Sequence, residues 1–338
     1  LSKGRRIVHL LVLNCHEAWV YQLQSLEARL DIVIDLPGRK VSGWDLHMRP
    51  LPAGAHTLSL AEALAAPHVW DAVICHNITD VIDTAPIDAP KLLVLHDTLD
   101  GRMAQQDARF NRDEMVTLLR TYLERLGAHA VAVTAAKGES WGIPGKPLHC
   151  SADPADYLTP SYRTAAGLRV ANHVTTKRVF LDWDFHEQAF GALPVTLIGH
   201  NPELGIDAAN DWPHLQSLFA EHRFFIHTAD PRYEDGFNMA MVEAMAAGLP
   251  VIGNAHPTSP ITHGVDGFLA SSPAEAKRYA ETLLADRELA RTMGAAARRT
   301  VVERFSTDVF RRGIRDALDR AAKKYRRRAR SVCRADVG

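Results

Sequence analysis

Short runs of Leu, Ile and Val alternate along the chain with stretches in which apolar residues recur at helical spacing. Ile7–Leu13, Ile32–Leu36, Ala72–Cys75, Leu92–Leu95 and Ala130–Val133 read as strands, and Glu17–Leu30 and Asn111–Leu126 as amphipathic helices. The strand runs are continuously apolar, the pattern of a sheet covered on both faces. Strands alternating with helices imply parallel βαβ units and a doubly wound sheet. The alternation lapses over residues 142–166, where Gly142, Pro144, Gly145, Pro147, Pro154 and Pro160 cluster just before Gly167. It resumes with strands at Leu168–Ala171, Val195–Ile198, Phe224–His227 and Pro250–Gly253, and helices at Met239–Ala247, Pro273–Ala285 and Ser306–Arg328.

The expected fold class is therefore α/β, with two tandem Rossmann-like domains facing a central cleft. Residues 1–150 form the first domain, 151–167 the linker, 168–305 the second domain and 306–330 a terminal helix. The length of 338 residues suits about two domains. Ligands of open α/β sheets bind beyond the carboxyl ends of the strands.

Composition narrows the class without naming a function. With 46% hydrophobic and 23% charged residues the chain is an ordinary globular one. No apolar run approaches the ~20 residues of a membrane span. The basic start Leu1–Arg6 and apolar Ile7–Leu13 resemble a signal peptide only briefly, since His9 interrupts the run and Asn14 ends it without a small-residue cleavage site. Cys15, Cys75, Cys150 and Cys333 lie far apart, which argues against a disulfide framework and fits a cytoplasmic protein. The net charge is −1, yet residues 321–338 hold seven Lys/Arg and one Asp. This basic tail is expected either to be a solvated helix end or to touch anionic lipid at the inner face of the membrane, and no nucleic-acid partner is expected.

Several chemistries lack their signatures. No Gly-x-Gly-x-x-Gly follows a strand, Gly145-Lys146 is followed by Pro147 where a P-loop needs Ser or Thr, and Gly-x-Ser-x-Gly is absent. None of the 17 histidines has His-Glu-x-x-His or similar spacing, so no metal and no cofactor are expected.

The informative segment is Tyr233–Ile252, which reads as loop, helix, stop and strand. Gly236 permits close backbone approach, Asn238 is a good N-cap, Met239–Ala247 are mostly strong helix formers, and Gly248 with Pro250 ends the helix. Glu243 sits in the second turn of this apolar helix. A carboxylate there needs donors, which a ribose diol, an internal ion pair or a surface position would each supply. The N–H groups near Asn238 and Met239 are a ready site for a diphosphate.

From Asp235 through Glu243 to Ile252, the segment resembles the Glu-x7-Glu region of the family-4 retaining glycosyltransferases of GT-B fold. His263-Gly-Val-Asp-Gly-Phe-Leu269 is similar to that family's Gly-x-x-Gly-Phe/Leu-Leu turn, and Glu303-Arg-Phe-Ser306 to the start of its last helix. The resemblance covers about residues 168–325 and implies that the terminal helix, 306–330, crosses back to the first domain. It implies retaining transfer of a sugar from a nucleoside-diphosphate donor to a saccharide or lipid-linked hydroxyl, without a divalent metal. It assigns the donor ribose to Glu243 and the donor sugar and phosphates to Asp235, Gly236, Phe237, Asn238 and Met239.

In the first half only the layout matches. His96, closing Leu93-Val-Leu-His-Asp97, resembles the strand-end His that faces the donor sugar across the cleft, and His16 is a candidate for the acceptor side. The family's diphosphate clamp is an Arg and a Lys five residues apart. Here Lys177 matches the Lys and Asn172 stands at the Arg position, with Arg169 or Arg178 as possible substitutes. The resemblance thus implies catalytic roles for His96, Asp235 and Lys177. Two other readings stay open: a non-catalytic nucleotide-sugar binder or partner subunit, and a GT-B-fold sugar-nucleotide 2-epimerase.

Overall fold

The structure is a computed structural model and describes residues 8–36, 43–105 and 110–335. By its internal contacts the chain divides into two compact units. Among the described residues the first comprises 8–36, 43–96, 110–149 and 310–335, and the second 97–105 and 150–309.

The strands of the first unit are β1 (His9–Leu13), β2 (Arg29–Val33), β3 (His56–Leu58), β4 (Ala72–Cys75), β5 (Lys91–Leu95) and β6 (His129–Ala132). They form one sheet, parallel throughout, in the order β3-β2-β1-β4-β5-β6. This is the Rossmann order, which reverses between β1 and β4. The central strands are buried almost end to end, so their continuous apolar runs are core. Helices α1 (Glu17–Tyr21), α2 (Leu60–Ala65), α3 (Ile78–Asp83), α4 (Leu99–Gln105), α5 (Arg112–Leu126) and α6 (Ala135–Ser140) come between or after these strands, and α4 groups with the second unit.

The second unit carries β7 (Gly167–Val170), β8 (Val195–Ile198), β9 (Phe224–Ile226), β10 (Val251–Asn254) and β11 (Gly267–Ala270), parallel in the order β11-β10-β9-β7-β8. Its order reverses between β7 and β9. Every residue of the edge strand β8 is half-buried. The helices are α7 (Trp183–Phe190), α8 (Trp212–Glu221), α9 (Met239–Ala247), α10 (Pro273–Ala285) and α11 (Arg287–Arg304), followed by α12 (Thr307–Ala335). The expected α/β class with two Rossmann-like sheets is what the chain forms.

Three readings of the sequence differ from the structure. The helix expected over Glu17–Leu30 stops at Tyr21, continues as a 3-10 turn to Leu26 and turns at Glu27, whose φ is +54°. Arg29–Val33 are then taken by β2, because pairing them with His9–Leu13 satisfies a full ladder of backbone groups. The stretch 151–167, expected as a linker, is packed inside the second unit. Ser161 donates to the Ala220 carbonyl, and the buried Tyr162 donates its hydroxyl to the Gly248 carbonyl at 2.7 Å. Residues 97–105, expected in the first domain, are tied to the second unit by Thr98, whose hydroxyl bonds the Tyr233 carbonyl.

Helix α12 builds the first unit from the far end of the chain. Phe310, Ile314, Ala317 and Ala321 are buried at helical spacing. Phe310 lies edge-on to Trp19 with centroids 5.8 Å apart, and Arg315 donates to the Leu26 carbonyl at 3.2 Å. Among the described residues no helix is long and apolar enough to cross a membrane.

Candidate functional site

The segment from β9 to α9 is built as its residues demand. Asn238 caps α9 by accepting the Met241 N–H at 2.7 Å, and its amide nitrogen meets His227 Nδ1 at 3.0 Å. Asp235, only 1% exposed, closes the turn before the cap by accepting the Phe237 N–H at 2.9 Å. Gly236 has no substitute here: a Cβ would lie 2.9 Å from the His256 ring and from the Ser259 nitrogen. Its N–H donates to the Thr258 hydroxyl at 2.9 Å. The backbone donors of Gly236 and Phe237, expected to face phosphate, are therefore committed within the loop. The helix geometry leaves the N–H groups of Met239 and Ala240 without intrahelical acceptors, at the positive end of the α9 dipole. Both residues are half-buried.

Helix α9 is otherwise sunk in the unit. Met241, Val242 and Ala244–Ala247 are buried, and Glu243 alone of that stretch is half-buried. The close packing depends on Gly294 of α11, where a Cβ would come 1.9 Å from the Gly248 carbonyl oxygen. The chain thus spends its tightest packing on fixing α9, and Glu243 is the position where that helix keeps a polar side chain.

Beyond the carboxyl end of β7 the loop is held by a residue the sequence reading missed. Asn201, fully buried, accepts the Val174 N–H at 2.9 Å and donates to the carbonyls of Ala171 at 2.9 Å and Gly199 at 3.1 Å. Asn172 is exposed, and its side-chain oxygen accepts the His200 N–H at 2.8 Å. Lys177 is half-buried on the following turn, where its N–H bonds the His173 carbonyl at 2.9 Å.

Both proposed substitutes for the Arg of that pattern have partners within the protein. Arg169 is buried at 2% exposure, bonded to Thr228 at 2.7 Å and His186 at 3.1 Å, and burial pushes its pKa down to about 9. Arg178 is paired with Asp184 and with Glu187.

In the first unit, three strands run into a polar cluster at the switch point. His76 follows β4 and His96 follows β5, and His76 Nδ1 lies 2.8 Å from His96 Nε2. Trp19, 1% exposed, stands edge-on to both rings at 4.5 and 5.3 Å. His16 caps α1, accepting the Trp19 N–H at 3.3 Å, and its ring lies 6.3 Å from that of His96. Burial, reinforced by neighbouring histidines, pushes His76 down to about 3 and His96 well below the usual imidazole value, so both rings are neutral at pH 7. The expected site residues His16 and His96 are thus neighbours. His76 and Cys15 belong to the same cluster and were missed. The available signal was that Leu10–Leu13, Ala72–Cys75 and Leu92–Leu95 each end within three residues of a His.

Residues 200–286, which include Asp235 through Glu243, match the family model of the glycosyl transferases group 1. The matched stretch contains β9, α9 and β10, the elements that build the loop and helix described above. Whole-chain comparison gives the GT-B fold. Anabaena HepE, solved in complex with UDP and glucose, aligns at a TM-score of 0.66 and 15% identity, covering 92% of this chain and 99% of that one. A glycosyltransferase from Rickettsia africae gives 0.65 at 12% identity, covering 94% and 99%. WaaG, a glycosyltransferase involved in lipopolysaccharide biosynthesis, gives 0.58 at 13% identity, covering 91% and 98%. Among curated proteins none matches the chain by sequence.

Proposed function

We propose that the protein is a retaining glycosyltransferase that takes a sugar from a nucleoside-diphosphate donor and passes it to a hydroxyl of a saccharide or lipid-linked acceptor. The observation that carries this reading is the buried helix α9, which holds a first turn with N–H groups left for an anion and keeps Glu243 as its half-buried carboxylate. The matched group 1 segment and the UDP-bound HepE neighbours support it, and make uridine donors the first to test.

In this mechanism Glu243 accepts from the ribose hydroxyls, and the α9 N-terminus with Lys177 takes the diphosphate. The bond from the sugar's anomeric carbon to the diphosphate oxygen breaks, and its electron pair leaves with the diphosphate. The acceptor oxygen bonds the same carbon on the same face and gives its proton to the diphosphate or to water. Lys177 and the helix dipole offset the charge that grows on the leaving group, so the reaction requires no divalent metal. Asp235, His96 and the neutral state of the latter serve the sugar, and His16 the acceptor side. We place the enzyme in the cytoplasm, with its basic C-terminal helix against anionic lipid at the inner membrane face and no nucleic-acid partner.

A binder without turnover is the second reading. It is favoured by the clamp: Asn172 brings no charge, and Arg169 and Arg178 are engaged elsewhere. A thermal-shift panel of nucleotide sugars, followed by assay of released nucleoside diphosphate, separates the two. Release that requires an acceptor supports transfer, whereas a stabilising donor with no release under any acceptor supports the binder.

Two substitutions test the assignment of roles. Glu243→Gln keeps the side-chain shape and should weaken donor binding by roughly 1.5–3 kcal/mol, the worth of a hydrogen bond to a charged group. The melting temperature without donor should hardly move. A destabilised protein with intact donor affinity would instead make Glu243 a structural residue. Lys177→Ala should lower kcat roughly 10- to 100-fold with a smaller change in donor Kd, because leaving-group charge peaks in the transition state. Unchanged kcat would remove Lys177 from the mechanism.

A further inference from the structure

The first unit places a thiol and two imidazoles together at the point where its strand order reverses. Cys15 follows β1, His76 follows β4 and His96 follows β5, and one ligating atom of each lies within 4.8 Å of the others. We propose that Cys15, His76 and His96 form a binding site for a thiophilic divalent cation, zinc by its chemistry, and that the ion competes with the use of His96 by substrate.

Three observations carry this. A tetrahedral zinc with Zn–N bonds of about 2.0–2.1 Å and a Zn–S bond of about 2.3 Å puts its ligand atoms roughly 3.4–3.6 Å apart, which small rotations reach from the present spacing. The His76 to His96 nitrogen separation is 2.8 Å, held in the metal-free form by a proton shared between rings. His76 Nε2 is buried without a hydrogen-bond partner among the described residues, so that ring nitrogen is free to take the proton when Nδ1 turns ligand.

The step balances simply. Zinc forms bonds to Cys15 Sγ and to one nitrogen of each His. The thiol proton goes to solvent, and the proton between the rings moves to a ring nitrogen facing away from the metal. Nothing is oxidised or reduced. Three protein ligands leave the fourth position to water, as in open zinc sites. Trp19 packs edge-on against both rings. Asp80, fully buried, accepts the His76 N–H at 2.8 Å and adds negative charge close to Cys15. The ligands follow three different strands, so no local ligand spacing marks them in the sequence.

Binding is tested first without reference to turnover. Cobalt(II) added to the metal-free wild-type chain should give one equivalent of a tetrahedral complex with a thiolate-to-cobalt charge-transfer band, and zinc should displace it. Absence of the band overturns the proposal. Cys15→Ser and His76→Ala, checked for unchanged melting, should each weaken zinc binding at least about tenfold, the loss expected even of an outer-sphere partner. Zinc affinity equal to wild type in both variants means adventitious binding by surface histidines and overturns it too. The competition with substrate rests on the proposed glycosyl transfer. There, zinc should inhibit turnover and a chelator should restore it. A zinc-bound enzyme that turns over at the metal-free rate would remove the competition, and a protein with no turnover at all would leave the cobalt result standing.

Discussion

Asp235→Asn should cut turnover by about a hundredfold or more, the order seen when one preorganised polar group is lost from an active site. The local structure makes this a clean test. Asn keeps the side-chain oxygen that accepts the Phe237 N–H, so the turn and the buried Phe237 behind it stay in place while the charge disappears. Glu234, by contrast, is half-buried and receives the Asp235 N–H at 3.0 Å through Oε1. Glu234→Gln retains an acceptor oxygen and should stay within a few-fold of wild type. The comparison is made on steady-state rates with melting curves alongside. Glu234 essential and Asp235 dispensable would shift the acidic motif by one residue and displace the sugar contacts assigned around it. Loss of stability in Asp235→Asn with a normal rate per folded molecule would make Asp235 a turn residue only.

Truncation after Glu303 should leave a poorly soluble protein. The missing helix supplies Phe310, Ile314, Ala317 and Ala321 to the first unit, all buried, and Phe310 meets Trp19 beneath the histidine cluster. Removing a buried Phe side chain alone costs about 3–5 kcal/mol, against a total stability of roughly 5–15 kcal/mol for a domain. Phe310→Ala should therefore lose much of the stability of the first unit, visible as an early unfolding transition by calorimetry. Truncation after Arg330 keeps all four of these buried residues and should be silent in the same assay. A full-length melting curve after the longer truncation would show that the helix is an appendage.

The loop and helix from Tyr233 to Gly248 were legible because their signals are local. A cap, a helix of strong formers and a terminating Gly follow one another, and α9 runs over Met239–Ala247 as read. The strands Ala72–Cys75 and Val195–Ile198 were legible for a similar reason, as apolar runs with clear ends. The short β3, His56–Leu58, was not, because it has two exposed residues and exists only by pairing with β2.

By itself the sequence determined the α/β class, the two sheets, the position of α9 and the candidate acids, since periodicity, caps and turn residues act over a few positions. Only the tertiary structure decided matters of distance between remote segments. It gave Arg29–Val33 to a strand through a ladder with β1, and packed the Pro-rich 151–167 into the second unit. It committed the backbone donors of Gly236 and Phe237 within their loop, and turned Arg169 inward. It also brought Cys15, His76 and His96 together from three strand ends. These outcomes depend on which buried polar groups find partners across the chain, and no local pattern carries that information.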